Sequence, residues 1–61
     1  MKYVAIDKGD GEKEELTRDN FIERIAKGRN VEGMIQCMET GCGINHSNKY
    51  ETDFYIYEVE R

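Results

Sequence analysis

The spacing of the apolar residues is typical of a helix in one segment of this chain and of strands in several others. This mixture constrains the fold more than any other feature of the sequence. The helical stripe lies within residues 17–27, where four apolar side chains fall within about 140° of one another at 100° per residue. Thr17 is placed to cap this helix, and Gly28 is placed to end it. The stripe consists of Phe21, Ile22, Ile25 and Ala26. The pattern predicts one amphipathic helix with a buried side and a charged side.

Three other segments have the composition of strands. Residues 3–6 form a short β-prone run, residues 31–38 alternate with a period of two, and residues 50–59 are the strongest strand candidate. Two Gly and two Asp in residues 7–11 predict a tight turn after the first run. Residues 12–16, which follow this turn, are so polar that we expect a weak edge strand or a loop there.

Together these segments predict an α+β fold. We expect a small antiparallel sheet of three to four strands with one helix packed on one face, in the order ββαββ or βαββ. With 61 residues, the chain has room for a single small domain, 1–61.

One helix cannot cover both faces of such a sheet, so we expect one apolar set to meet the helix and a second set to face away. The set expected to meet the helix consists of Val4, Ile6, Ile35, Phe54 and Ile56. The set expected to face away consists of Tyr3, Ala5, Met34, Met38, Tyr55, Tyr57 and Val59.

The charge of the chain is unevenly distributed. The net charge is −4, and residues 1–30 hold seven basic and seven acidic side chains, so the whole excess lies in residues 31–61. Acidic side chains repel phosphates, which disfavours nucleic acid as a partner. The same charge would attract a basic protein surface and speed its encounter with this chain. We expect Glu51, Asp53 and Glu58 to steer such a partner.

These observations predict a small acidic protein-interaction module that binds stoichiometrically through its open sheet face and the 39–49 loop. Tyr and Met are enriched in protein interfaces, and the predicted contact residues are Tyr3, Met34, Met38, Tyr55 and Tyr57. Such a module takes one of two forms. The first is a homodimer, and the second is an inhibitor or regulator of a host protein, of phage type or mobile-element type. The alternative is that tyrosines merely cover a solvated sheet face.

Catalysis is not expected from this chain. A domain of this size rarely encloses the water-excluding pocket that an active site needs. The glycines around Cys42 do not match a phosphate-binding loop, because the GxxxxGK[ST] pattern is absent. The sequence therefore predicts no enzyme and no cofactor.

A metal-stabilised mini-domain is the first alternative. Cys37, Cys42 and His46 have the spacing C-x4-C-x3-H and could supply three zinc ligands, with Glu39 or Asp53 as the fourth. Structural zinc sites usually contain paired C-x2-C motifs, which this chain lacks. The favoured interpretation is instead that Cys37 is a small buried hydrophobic residue and that His46 lies in a solvent-exposed loop.

A nucleic-acid-binding module is the second alternative. It would use the basic side chains on or near the predicted helix, which are Arg18, Arg24, Lys27 and Arg29.

The sequence also predicts where the protein acts. No apolar run approaches the roughly 20 residues of a membrane span, and Met1 to Gly9 contain no signal-peptide h-region. Two cysteines do not make a disulfide scaffold, so Cys37 and Cys42 are expected as thiols in a reducing compartment. We therefore expect a cytoplasmic protein that does not contact a membrane.

Overall fold

A computed structural model, which describes residues 1–41 and 47–61, contains an antiparallel sheet of four strands and two helices that pack on the same sheet face. The elements in chain order are β1 (Lys2–Asp7), β2 (Lys13–Leu16), α1 (Arg18–Ala26), α2 (Glu32–Thr40), β3 (Lys49–Glu51) and β4 (Tyr55–Glu60). The strands lie in the order β2-β1-β4-β3. The α+β prediction is confirmed, with a second helix in place of one predicted strand.

The first hairpin forms as the turn chemistry predicts. The Asp7 carboxylate accepts a hydrogen bond from the Gly9 N–H at 2.7 Å, and the Asp10 carboxylate accepts one from the Glu12 N–H at 2.9 Å. Gly11 adopts a φ of 76°, which glycine reaches without steric cost. These contacts reverse the chain, so that the polar segment after the turn pairs with β1 as the edge strand β2.

Helix α1 also forms where its stripe predicts it. The Thr17 hydroxyl accepts a hydrogen bond from the Asn20 N–H at 3.2 Å and so caps the first turn. The helix ends one residue before the predicted position, because Lys27 rather than Gly28 is the first residue in the left-handed conformation, with a φ of 48°. Gly28 follows with a φ of 86°.

The prediction of a strand at residues 31–38 is wrong, since α2 occupies this segment. Val31, Ile35 and Met38 are spaced i, i+4 and i+7, which places them on one face of a helix, whereas a strand would put Met38 on the opposite face from Val31 and Ile35. The Asn30 side chain accepts a hydrogen bond from the Glu32 N–H at 3.1 Å, and Gly41 ends the helix with a φ of 70°. Asn30 before the segment and Gly41 after it are residues typical of helix ends, and they favour a helix over a strand here.

Residues 50–59 form a hairpin rather than one strand. Strand β3 ends at Glu51 and β4 begins at Tyr55, with a turn at residues 52–54 between them. Tyr50 lies opposite Tyr57 in this hairpin. The second hairpin therefore contributes one edge strand and one central strand to the sheet.

The strand residues lie on the opposite sheet faces from those predicted, whereas Ile35, also predicted to meet the helix, does lie in the core, on α2. Tyr3 lies opposite Val59 and Ala5 opposite Tyr57 in the β1–β4 pair, and these side chains form the core with the helices. The face away from the helices carries Val4, Ile6, Ile56, Lys2, Lys49, Glu58 and Glu60. The physical reason is charge: Lys49 pairs across strands with Glu58, and such groups stay in water.

Neither helix of the described residues is long and apolar enough to cross a membrane.

Candidate functional site

Several predicted contact residues lie in the core instead of on a binding surface. Met38 is 3% exposed and Tyr57 is 5% exposed, and both belong to the central apolar cluster. Tyr3, Met34 and Tyr55 are half-buried and pack against that cluster. The expectation that these rings and sulfurs lie on an uncovered sheet face is therefore wrong, because two helices pack on that face.

The acidic residues predicted to steer a partner lie in two places. Glu51 and Asp53 are exposed beside the turn of the second hairpin, whereas Glu58 is half-buried on the uncovered sheet face. The Lys8 ammonium contacts the Glu51 carboxylate at 2.6 Å, and this hydrogen bond lowers the pKa of Glu51. Asp53 has no ion-pair partner among the described residues.

The turn of the second hairpin, residues 52–54, carries the most exposed large apolar side chain among the described residues. We name this turn the hairpin tip. Phe54 is 75% exposed, although the sequence predicts it in the core. Thr and Asp at the two positions before it favour a turn, and this signal within the strand-like run could have located the tip.

A set of hydrogen bonds holds the hairpin tip in one conformation. The Thr52 N–H donates to the Tyr55 carbonyl at 2.8 Å, and the Tyr55 N–H donates to the Thr52 hydroxyl oxygen at 3.1 Å. The Lys8 N–H donates to the Phe54 carbonyl at 2.9 Å, and the Lys8 ammonium donates to the Thr52 carbonyl at 3.2 Å. The first hairpin therefore braces the backbone that presents the Phe54 ring.

An open groove of about 740 Å³ lies between α1 and the second hairpin. Phe54 and Asp53 are themselves among the residues that line it, as are Glu14 and Glu23. Its sheet side is aromatic, and its other side is formed mainly by charged residues of the helix and of the segment that follows it. The principal lining residues are Tyr50, Tyr55, Tyr57, Arg24, Lys27 and Arg29. A second concavity of about 500 Å³ lies on the other side of Phe54, against Lys8 and Gly9.

Arg24 forms part of the groove wall and is already engaged. Its guanidinium carbon lies 4.9 Å from the centre of the Tyr55 ring, which is a cation–π geometry. Its Nη1 contacts the Glu14 carboxylate at 3.1 Å. Lys27 and Arg29, at the end of α1, have no carboxylate partner among the residues that the structure describes.

At the opposite end of the helical layer, Glu39 joins three elements. Its carboxylate accepts a hydrogen bond from Arg18 Nε at 2.8 Å and another from the Tyr3 hydroxyl. The Arg18 guanidinium is the main reason that the pKa of Glu39 is lowered, and the hydrogen bond to Glu39 raises the pKa of the Tyr3 hydroxyl. Arg18 also contacts Glu32 at 3.5 Å. This cluster fastens α2 to α1 and β1.

The four basic residues of the nucleic-acid alternative do not form one free surface. Arg18 contacts Glu39 and Glu32, and Arg24 contacts Glu14. Arg29 donates to the backbone carbonyl oxygens of Ala26 at 3.2 Å and Ile25 at 3.4 Å. Carboxylates therefore already neutralise two of the four side chains that this alternative would use to contact phosphates, Arg18 and Arg24.

Only part of the zinc alternative lies within the described residues. Cys37 is half-buried on α2, whereas Cys42 and His46 lie outside the residues that the structure describes, as does part of the 39–49 loop. Within residues 1–41 and 47–61, no group of three or more His, Cys, Asp or Glu side chains is arranged to hold a metal ion.

No family model matches the chain, and no curated protein or solved structure matches it significantly. A function for this chain is therefore proposed from its geometry.

Proposed function

We propose that this protein is a small, acidic, non-enzymatic interaction module that binds a protein partner through its hairpin tip. The observation that carries the proposal is Phe54, whose ring is 75% exposed on a turn that hydrogen bonds hold in place. Aromatic side chains dominate the energetics of many interfaces. Hydrogen bonds already order the backbone of the tip, so ordering it on binding costs little entropy, which favours affinity.

The partner that fits this tip has an apolar pocket next to cationic side chains. The pocket would accept the phenyl ring, and the cations would meet the Asp53 carboxylate, which has no ion-pair partner among the described residues. The acidic excess of residues 31–61 would speed the encounter with such a surface. The tip thus replaces the open sheet face as the proposed binding surface.

The proposal keeps the cytoplasm as the place of action, in line with the cysteine content. An inhibitor or regulator of phage or mobile-element type, acting on a host protein, is one role that such stoichiometric binding would serve.

The test is photocrosslinking in the cell that makes the protein. A benzophenone amino acid at position 54 should crosslink to one discrete protein species, and Asp53→Lys should weaken that crosslink several-fold. The matched control places the same amino acid at position 36, which is exposed on α2 and lines neither of the two concavities that Phe54 lines. Equal crosslinking from both positions, or none from position 54, would overturn the proposal.

A further inference from the structure

We infer that the partner contacts the hairpin tip with an arginine side chain, whose guanidinium binds in the smaller concavity beside Phe54. This inference rests on the proposed function, since it names the chemical group that the tip recognises. Three observations carry it: the groups that line the concavity, the charges left uncompensated there, and a guanidinium that this chain already holds in a similar way.

The smaller concavity lies between the two hairpins and combines aromatic rings with two carboxylates. Its volume is about 500 Å³, and its lining consists of residues 7–9 from the first hairpin and residues 53–55 from the second. The Phe54 ring is 75% exposed, so a ligand can cover most of it. A guanidinium can stack on such a ring while its N–H groups donate to carboxylates. The concavity therefore contains both kinds of group that bind a guanidinium.

The uncompensated charge of this concavity is negative. Asp7 and Asp53 have no ion-pair partner among the described residues. One Asp7 oxygen accepts a hydrogen bond from the Gly9 N–H at 2.7 Å, which leaves the other oxygen for a ligand. The Lys8 ammonium is held by the Glu51 carboxylate at 2.6 Å, so its charge is already compensated from outside the concavity. A cationic ligand is therefore complementary to this site.

The larger groove does not have this property. It is lined by three carboxylates and three basic side chains, so its charges balance. The charge of the tip thus favours a cation on the side of Phe54 that faces the first hairpin.

In the larger groove, on the other side of Phe54, the chain already holds a guanidinium with the same kinds of group. The Arg24 guanidinium carbon lies 4.9 Å from the centre of the Tyr55 ring and 5.6 Å from that of the Tyr57 ring. Its Nη1 donates to the Glu14 carboxylate at 3.1 Å. An arginine from the partner would repeat this combination of ring and carboxylate with Phe54 and Asp53.

Arginine fits this site better than lysine for a geometric reason. The planar guanidinium can donate to two carboxylates while its face stacks on a ring, whereas an ammonium is compact and more strongly hydrated. The net charge of −4 attracts a basic surface toward the chain before contact. The concavity then selects the arginine on that surface.

Two-dimensional NMR of the full chain, titrated with the capped peptide acetyl-Gly-Arg-Gly-amide, tests the inference. The amide signals of Gly9, Asp53 and Phe54 should shift and saturate, with a dissociation constant in the millimolar range for a single side chain. The same peptide with citrulline in place of arginine keeps the shape without the charge and should bind about tenfold more weakly or less. Equal binding of the two peptides would overturn the guanidinium site.

Substitutions identify the groups that bind. Asp53→Asn and Asp7→Asn should each weaken binding of the arginine peptide about fivefold or more, and asparagine at position 7 still offers an oxygen to the Gly9 N–H. Glu15→Gln is the matched control, because it removes an exposed carboxylate that does not line the concavity, and it should leave binding unchanged. Far-UV circular dichroism checks that each variant is folded. Binding that both asparagine variants leave intact would show that the peptide does not occupy this concavity.

The outcome for this inference is separable from that for the proposed function. A chain that does not bind the arginine peptide, while position 54 still crosslinks to one protein, would overturn the guanidinium site and support the proposed function. A chain that binds the peptide in this concavity, but gives no crosslink from position 54, would support the guanidinium site and overturn the proposed function. If both hold, Asp7→Asn should also weaken the crosslink several-fold.

Discussion

Glu39 is the α2 residue whose side chain links this helix by hydrogen bonds to both α1 and β1. Its side chain is 12% exposed, and its hydrogen bonds reach Arg18 on α1 and Tyr3 on β1. The ion pair with Arg18 is partly screened by water, because the Arg18 side chain is 40% exposed. The contribution of Glu39 to stability therefore comes from several contacts to one partly buried charge.

Glu39 predicts how stability depends on pH. Its pKa in the folded chain is lowered from the ordinary value of 4.5. A lowered pKa contributes stability that is present above about 4.5 and is lost as pH falls below it. Glu39→Gln should lower the free energy of unfolding by about 1 kcal/mol at pH 7 and by less at pH 3, because below the ordinary pKa the unfolded chain binds a proton more readily than the folded one does, which removes part of the advantage of the wild-type carboxylate.

Urea denaturation at pH 7 and pH 3 measures this difference, with Glu12→Gln as the control for loss of an exposed carboxylate. Glu51 also has a lowered pKa, so the wild-type chain should lose stability in acid even apart from Glu39. An equal loss for Glu39→Gln at both pH values would contradict the assigned role.

At the scale of elements, local signals predict β1, the turn after it and α1, and they leave residues 12–16 open between an edge strand and a loop. The turn follows from its Asp and Gly residues, and α1 follows from its stripe and Thr17 cap. The error at residues 31–38 arose because a segment this short fits both the helix period and the strand period. Gly33 weakens a helix and a strand alike, so it did not distinguish between them. The end signals, Asn30 before the helix and Gly41 after it, were the informative ones.

Gly33 supplies a test of α2. It is exposed in the first turn of the helix, and a methyl group at its α-carbon would meet no other atom within 4 Å. Gly33→Ala should raise the free energy of unfolding by about 0.5 kcal/mol, because alanine loses less backbone entropy in a helix than glycine does.

The measurement is the urea midpoint together with the helical circular dichroism signal. Gly11→Ala is the matched control with the opposite expectation, since the φ of 76° at Gly11 is strained for alanine. A destabilised Gly33→Ala variant would count against a helix at this position.

At the scale of the whole molecule, a line of four aromatic rings joins the core to the groove. The Tyr3 and Phe21 centroids lie 5.2 Å apart, Phe21 lies 5.9 Å from Tyr57, and Tyr57 lies 5.8 Å from Tyr55. Phe21 is fully buried between the sheet and the helices. The tyrosines that resemble a binding surface in the sequence therefore hold the fold together, and the two rings at one end of this line, Tyr57 and Tyr55, also line the groove.

Tyr57 tests that conclusion. Tyr57→Ala should lower the free energy of unfolding by about 3–5 kcal/mol, as for other large aromatic truncations, which is enough to unfold most of a domain this small. Tyr57→Phe keeps the ring and should remain folded. Circular dichroism with urea denaturation separates the two variants, and a fully folded Tyr57→Ala chain would show that the ring is not a core residue.

The sequence alone determined the α+β class, the turn after β1 and the position of α1, because caps, turns and short periods act between residues close in the chain. The sequence also contained the two apolar sets of the sheet, but it offered no clear means of choosing which of them the helices cover. Tertiary structure decided which set the helices cover, since sheet register and the packing of α2 bring together residues far apart in sequence. The same long-range pairing places Phe54 at a tip that Lys8 braces from the other hairpin, and this position makes it a candidate for binding.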